Sequence, residues 1–132
     1  YRERFEPSDV LDKPHAMVGM TVIAADDDDE AMLLASSMDQ SFVALRTGNP
    51  GRLPPPVPGY RDTLPPQALA MLTQMREASA IGGPETVRKA VTAFIERTRA
   101  DELIIAGSIH DPAARLRSMR LTMEALRQPA AP

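Results

Sequence analysis

The sequence has no cysteine and no tryptophan, and its aromatic residues are limited to two tyrosines and three phenylalanines. Without cysteine, the chain has no disulfide, no thiolate nucleophile and no cysteine-ligated metal. The scarcity of aromatic side chains argues against a stacking surface for nucleic-acid bases. The net charge of -3 argues the same way, because neutralising phosphates requires a concentrated basic surface. We therefore expect no nucleic-acid partner.

Long apolar runs are also missing, since none approaches the roughly 20 residues needed to cross a bilayer. We expect no membrane partner, and the lack of cysteine fits a reducing cytoplasm, which is the predicted location. The chain has 132 residues, of which 43% are hydrophobic and 25% are charged. These values are typical of one ordinary globular domain that covers residues 1–132.

Two segments have the composition of buried strands. Residues 16–25, AMVGMTVIAA, are nearly all apolar, and their second half is rich in β-branched residues. This pattern is typical of a strand that is covered on both faces in a parallel sheet. A second, shorter strand is predicted for residues 102–107, ELIIAG. Both are followed by helix-start signals, so the sequence predicts an α/β fold.

The predicted helices have apolar residues at helical spacing and polar signals at their ends. The helix after the first strand begins in an acidic run, residues 26–30, which complements the positive end of its dipole. A metal site is the alternative interpretation of this run, but no further ligand stands at a suitable spacing, so we predict no metal. The other helices are predicted at residues 67–78, 84–98 and 112–127.

Proline is concentrated in one stretch, residues 49–66, NPGRLPPPVPGYRDTLPP, which holds seven of the thirteen prolines. We predict that this stretch is a long surface loop, and a proline-rich recognition segment is the alternative. Residues 128–132 are predicted to be a frayed tail. The opening YRERFEPS is typical of the last turns of a helix stopped by Pro7, which indicates a longer coding sequence; a trimmed N-terminus is the alternative.

Two parallel strands do not make a stable sheet, because each leaves an open edge. We expect the remaining strands to come from a missing N-terminal region, from a second chain or from a second copy of this chain.

Three motifs, together with the spacing between them, carry a family resemblance. In chain order they are MVGMTVIAADDDDEA, GGPETV and ADELIIAGSIHDPAARLRS. Over nearly all of its length the chain resembles the C-terminal part of the bacterial luciferase-like, flavin-dependent monooxygenases. The resemblance implies a partial TIM (β/α)8 barrel. The two predicted strands would be barrel strands seven and eight, and residues 112–127 would be the closing helix.

The resemblance also implies a chemistry and its site. Family members use reduced FMN, or a deazaflavin in sister groups, with a flavin reductase as partner, and act on small organic substrates at the barrel mouth. On this basis His110 is the candidate catalytic residue, and Ser108, Gly107 and Gly83 are candidate cofactor contacts. Each has a structural alternative: the histidine and the serine would satisfy loop backbone, and the glycines would serve the turns.

Two functions remain open at this point. The chain is either the closing segment of a flavin-dependent oxidoreductase, active when the barrel is complete, or a noncatalytic fragment that self-associates through its strand edges without a cofactor.

Overall fold

A computed structural model describes residues 1–127 and shows an α/β fold with one parallel sheet. Its strands are β1 (Met17–Ala24), β2 (Ser79–Gly82) and β3 (Glu102–Ala106). Its α-helices are α1 (Asp28–Arg46), α2 (Pro66–Met75), α3 (Pro84–Thr98) and α4 (Pro112–Arg127). Short 3-10 helices cover Arg2–Arg4, Tyr60–Thr63 and Arg76–Ala78. The predicted tail, residues 128–132, lies outside the described residues. No helix within the described range is both long and apolar enough to span a membrane.

The sheet has three strands in the order β2-β1-β3, so the prediction of two strands was wrong. The missed strand is β2, which has only four residues and follows α2 and a 3-10 turn without a glycine or proline between them. Its sequence, SAIG, has no strand pattern of its own. It forms a strand because Ala80 and Ile81 lie in register with Val22 and Ile23 of the apolar β1.

The helices cover both faces of this sheet. The chain leaves β1 toward β2 on one side, and then passes back across β1 to reach β3 on the other side. Because parallel crossovers are right-handed, two crossovers in opposite directions place their helices on opposite faces. Accordingly α1 packs against Ile23 and Ile81 through Ala35, whereas Val87 and Val91 of α3 pack on the other face.

The main core lies between the sheet and the helices α3 and α4. Its buried members are Met20, Val22, Ala24, Ala80, Val87, Val91 and Phe94. Half-buried side chains from β3 and α4 pack against this group, including Leu103, Ile105, Leu121 and Leu126. Both strand faces of β1 are thus buried toward its C-terminal end, as its apolar sequence predicts.

The other face of the sheet is only partly covered. The helix α1 covers this face at Ile23, near the carboxyl end of β1. Away from that end, Met17 is 49% exposed and Ile104 is 55% exposed. Gly19 and Ala106 on the same face are exposed as well. This sheet therefore has an apolar surface with no cover within the described residues.

The parallel α/β class is confirmed. The strand order β2-β1-β3 differs from the sequential order of strands in a (β/α)8 barrel. In a barrel each strand lies beside the next one in the chain, which would put β2 in the middle. The eight-residue β1 is a better central strand than the four-residue β2, since a long apolar strand at an edge leaves many backbone groups unpaired.

The proline-rich loop, residues 49–66, is held against α1 by side chains of that helix. The Ser36 hydroxyl accepts a hydrogen bond from the Val57 backbone N–H at 2.8 Å. The Gln40 amide donates to the Pro55 carbonyl at 2.9 Å. These contacts satisfy backbone groups in a segment whose prolines lack N–H donors, so the loop has a defined path over α1.

A buried ion pair fixes the approach to β2. Asp39, in the middle of α1, is fully buried, and both of its carboxylate oxygens accept hydrogen bonds from Arg76, at 3.2 and 2.6 Å. This two-point geometry is the strong form of an arginine–carboxylate contact. It ties α1 to the turn that leads from α2 into β2.

Replacing Asp39 by Asn is expected to lower the free energy of unfolding by about 3 kcal/mol, because it leaves the Arg76 guanidinium without its buried counter-charge. Urea unfolding followed by circular dichroism measures this change. Glu96→Gln, at an exposed position on α3, is the control and is expected to shift stability by less than about 0.5 kcal/mol. Equal effects of the two substitutions would show that the buried pair does not stabilise the fold.

Candidate functional site

The carboxyl ends of the three parallel strands meet at one edge of the sheet, where α/β proteins bind their ligands. The segments that leave the strands there are residues 25–27, 82–83 and 107–111. The Ala25 N–H donates to the Gly82 carbonyl at 3.2 Å, and Arg117 of α4 forms an ion pair with Asp26. All four predicted site residues lie at this edge.

Gly83 lies at the N-cap of α3, and an internal carboxylate already contacts it. Its N–H donates to Asp28 Oδ1 at 2.7 Å, and the Thr86 hydroxyl donates to Asp28 Oδ2 at 3.1 Å. These two hydrogen bonds, the one from Gly83 first, lower the pKa of Asp28 from its ordinary value of 3.8. The carboxylate therefore sits where a cofactor phosphate would bind a helix N-terminus, and the role of Gly83 as a cofactor contact stays a prediction.

Gly107 lies where the chain leaves β3 and passes close to the backbone of β1. A Cβ at this position would lie 2.5 Å from the Val22 carbonyl oxygen. Beyond Gly107, the Ala24 N–H of β1 has a side-chain partner instead of a strand partner. It donates a hydrogen bond to the Ser118 hydroxyl of α4 at 2.8 Å. Only a cavity of about 20 Å³ remains here, lined mainly by apolar side chains and by Arg115. The structure thus gives Gly107 a packing role, and its contact with a cofactor stays a prediction.

His110 connects the end of β3 to the proline-rich loop. Its Nδ1 lies 2.9 Å from the Leu53 carbonyl oxygen. A carbonyl only accepts hydrogen bonds, so Nδ1 carries the proton, and in the neutral ring the lone pair is on Nε2. The imidazole is exposed, and so is the hydroxyl-bearing Ser108 two residues before it. An imidazole ring and a hydroxyl therefore lie two positions apart in the chain at the strand mouth, both on exposed residues.

The mouth is acidic on the side of β1. Asp26, Asp27, Asp28 and Asp29 follow that strand directly, and all four are exposed. The Asp27 side chain caps α1 by accepting from the Glu30 N–H at 2.8 Å, which agrees with the predicted helix-start role. No group of three or more potential metal ligands occurs within residues 1–127.

Sequence reasoning missed two of the contacts that build this edge. Asp28 and Gly83 are 55 positions apart, and Leu53 and His110 are 57 apart. Neither pair has a local signal, because a carboxylate at a helix start and a carbonyl in a loop are common features. Only the folded chain brings them together.

Comparisons with known proteins find relatives of this chain. No family model matches the chain. The uncharacterized protein YvbT of Bacillus subtilis is 40% identical over 121 residues, which are 92% of this chain and 36% of that protein. A luciferase-like monooxygenase of Escherichia coli is 40% identical over 124 residues, which are 94% of this chain and 37% of that protein. The chain is homologous to part of the luciferase-like monooxygenases.

A solved structure is similar to nearly all of this chain. The crystal structure of apo-MsnO8 superposes with a TM-score of 0.77 and 27% sequence identity. The match covers 98% of this chain and 40% of that one. The chain thus spans well under half the length of the relatives that it matches.

Replacing Gly107 by Ala is expected to lower the free energy of unfolding by about 1–3 kcal/mol, because the added Cβ would overlap a backbone oxygen of β1. The matched control is Gly19→Ala, where the added Cβ would meet no atom within 4 Å. Urea unfolding of the two variants measures the difference. A stable Gly107→Ala protein would contradict the close approach of the two backbones.

The Asp28 contact makes stability depend on pH. Its pKa is lower in the folded chain than in the unfolded chain, so its contribution is fully present above pH 3.8 and is lost as the pH falls through the folded pKa. Asp28→Asn is therefore expected to be less stable than the unaltered chain at pH 7, and the difference should shrink below pH 4.

Asp29→Asn is the control for this experiment, since it removes a neighbouring charge from the same helix start. Urea unfolding at several pH values compares the three proteins. A stability difference for Asp28→Asn that stays constant from pH 7 to pH 3 would contradict the ionic character of the contact.

Proposed function

We propose that this luciferase-like segment closes the barrel of a flavin-dependent monooxygenase as its last three strands. With β2 counted as a strand, the segment would hold barrel strands six, seven and eight, rather than seven and eight alone. The 40% identity to a luciferase-like monooxygenase of Escherichia coli supports the proposal. The covered share, about 37% of that relative, agrees with three strands of eight.

The observation that carries the proposal is the position of His110. Its exposed ring stands at the carboxyl end of β3, and (β/α)8 enzymes place their active sites at that end of the barrel. The hydrogen bond from Nδ1–H to Leu53 orients the ring and leaves Nε2 free to bind a cofactor or substrate atom. The same contact brings Leu53 of the proline-rich loop to the mouth, where this part of the loop would act as a lid.

The residues at this edge suit the ring system of a flavin better than its phosphate. His110 and Ser108 offer one ring nitrogen and one hydroxyl for hydrogen bonds to a flavin ring edge. The acidic run at residues 26–29 and the carboxylate on the Gly83 N–H repel a phosphate group. We therefore assign this segment to one wall of the ring pocket and the phosphate site to other strands.

When bound, reduced flavin would supply the electrons that activate oxygen for insertion into a small organic substrate. FMN, delivered by a flavin reductase, is the proposed cofactor, and a deazaflavin is the alternative. The part of this chain would be to orient the ring, to close the mouth and to exclude water from it.

A noncatalytic, self-associating chain is the second candidate function. The exposed Met17 and Ile104 on one sheet face favour it, as do the outer edges of β2 and β3, which pair with no strand within residues 1–127. Under this alternative a homodimer would form and no flavin would bind.

A flavin titration distinguishes the two functions. We expect no saturable change of FMN fluorescence with the 132-residue chain alone. We expect saturable binding to a chimera in which this segment replaces the 124 aligned residues of the Escherichia coli relative. Within the chimera, His110→Ala is expected to weaken binding about tenfold, the effect of losing one hydrogen bond of about 1.4 kcal/mol.

His15→Ala is the matched control, because His15 lies before the start of β1 and contacts Glu102 at 3.3 Å, at the opposite end of the sheet. It should leave flavin binding unchanged. Equal binding by the His110→Ala and His15→Ala chimeras would remove His110 from the site. A chimera that binds no flavin, together with a homodimer of the isolated chain, would favour the noncatalytic function.

A further inference from the structure

The part of the proline-rich loop that contacts His110 is a stiff stretch of chain, residues 53–58, LPPPVP. Proline fixes its own φ, and a residue that precedes proline is confined to extended conformations. Four of these six residues precede a proline, and residues 53–57 belong to no helix, strand or turn. Such a segment changes its shape little, so a contact that holds one part of it also fixes the part next to it.

Two side chains of α1 hold this stretch. The Ser36 hydroxyl donates to the Leu33 carbonyl at 2.6 Å, and its oxygen accepts from the Val57 N–H at 2.8 Å. The Gln40 amide donates to the carbonyl of Ser36 at 3.2 Å and to that of Pro55 at 2.9 Å. Each side chain is therefore oriented by the backbone of its own helix while it binds the loop.

The other end of the stretch carries the Leu53 carbonyl, which accepts a hydrogen bond from His110 Nδ1–H at 2.9 Å. Leu53 lies two positions before Pro55 and four before Val57, so both helix contacts act on the same stiff segment. The hydrogen bond that one imidazole nitrogen makes decides which nitrogen carries the proton. With Nδ1 as the donor, the neutral ring presents Nε2 as an acceptor.

We propose that Ser36 and Gln40 are positioning residues that set the tautomer of His110 through the proline-rich stretch. They keep the Leu53 carbonyl beside Nδ1, and the neutral ring then accepts a hydrogen bond from an N–H or O–H group at Nε2. The partner group is therefore a donor, such as a flavin ring N–H or a substrate hydroxyl. The identity of this partner rests on the proposed function, whereas the control of the tautomer does not.

NMR of the imidazole nitrogens in the 132-residue chain tests the proposal, because the nitrogen chemical shifts distinguish a protonated ring nitrogen from an unprotonated one. The chain has two histidines, and His15→Ala assigns their signals. At a pH at which the ring is neutral, we expect the Nδ1–H form of His110 to predominate. In the double variant Ser36→Ala, Gln40→Ala, the ratio of the Nδ1–H form to the Nε2–H form is expected to fall about fivefold, the factor that one hydrogen bond supplies.

Ser37→Ala is the matched control, since the Ser37 hydroxyl is buried on the same helix and has no hydrogen-bond partner within residues 1–127. It should leave the tautomer ratio unchanged. Pro54→Gly with Pro56→Gly keeps both helix contacts but loosens the segment that joins them to His110, so it should also lower the ratio. This loop variant serves the same purpose should the helix double variant fail to fold, and circular dichroism shows which variants are folded.

A folded double variant that keeps the tautomer ratio of the unaltered chain would overturn the inference. An Nε2–H form that predominates in the unaltered chain would do the same, because the Leu53 carbonyl would then not hold the ring. A ratio that responds to the double variant, together with a chimera that binds no FMN, would overturn the proposed function and leave the control of the tautomer standing.

FMN binding by the chimera shows whether the helix residues act through His110. There the double variant is expected to weaken binding by less than the roughly tenfold loss expected for His110→Ala. In a chimera that already carries His110→Ala, it should cause no further loss, because residues that act as one unit have non-additive effects. The same loss with and without His110 would show that Ser36 and Gln40 act independently of the histidine, and it would overturn their positioning role.

Discussion

The pairing of β1 on both of its edges is the constraint on which the rest of the structure depends. Alternate backbone groups of this strand point to opposite sides, so one set pairs with β2 and the other with β3. Its side chains likewise alternate between the core under α3 and α4 and the smaller core under α1. Every loop of the candidate site follows either β1 or a strand that pairs with it, and the position of His110 follows from that of β3.

At each end of this sheet, one carboxylate links two segments that are far apart in the chain. At the carboxyl end, Asp28 joins the start of α1 to the start of α3. At the amino end, Asp101 accepts from the Ala16 N–H at 2.7 Å and pairs with Arg2 at 2.5 Å. The Ala16 hydrogen bond first, and Arg2 next, lower the pKa of Asp101. Each carboxylate satisfies a backbone donor at a strand or helix start, and the ionised form is stabilised in return.

Most elements were predictable from local pattern, and the failures have a common physical cause. The apolar run of β1, the stripes of α1, α3 and α4 and the proline start of α3 are signals within a few residues, and the structure confirms these elements. The strand β2 was missed because its four residues gain strand structure from the neighbouring β1. Strand order was not predictable either, since it depends on which edges compete for one apolar strand.

The candidate site, like the fold, was predictable only in part. The family resemblance implied both its place at the strand ends and the candidate residues His110, Ser108, Gly107 and Gly83. The contacts that decide what these residues do, Asp28 on Gly83 and Leu53 on His110, join positions more than 50 residues apart. Pairings over such distances depend on the whole fold.

The separation of β1 and β3 along the chain also orders events during synthesis. The Asp101 contact that starts their pairing closes a loop between positions 85 apart. The unit of β1, α1 and β2 is complete before β3 leaves the ribosome, and contacts over such distances form late in folding. The 20 residues from the end of β2 to the start of β3 take about 1–4 s to translate. For that interval the edge of β1 that β3 covers has no partner strand among the described residues.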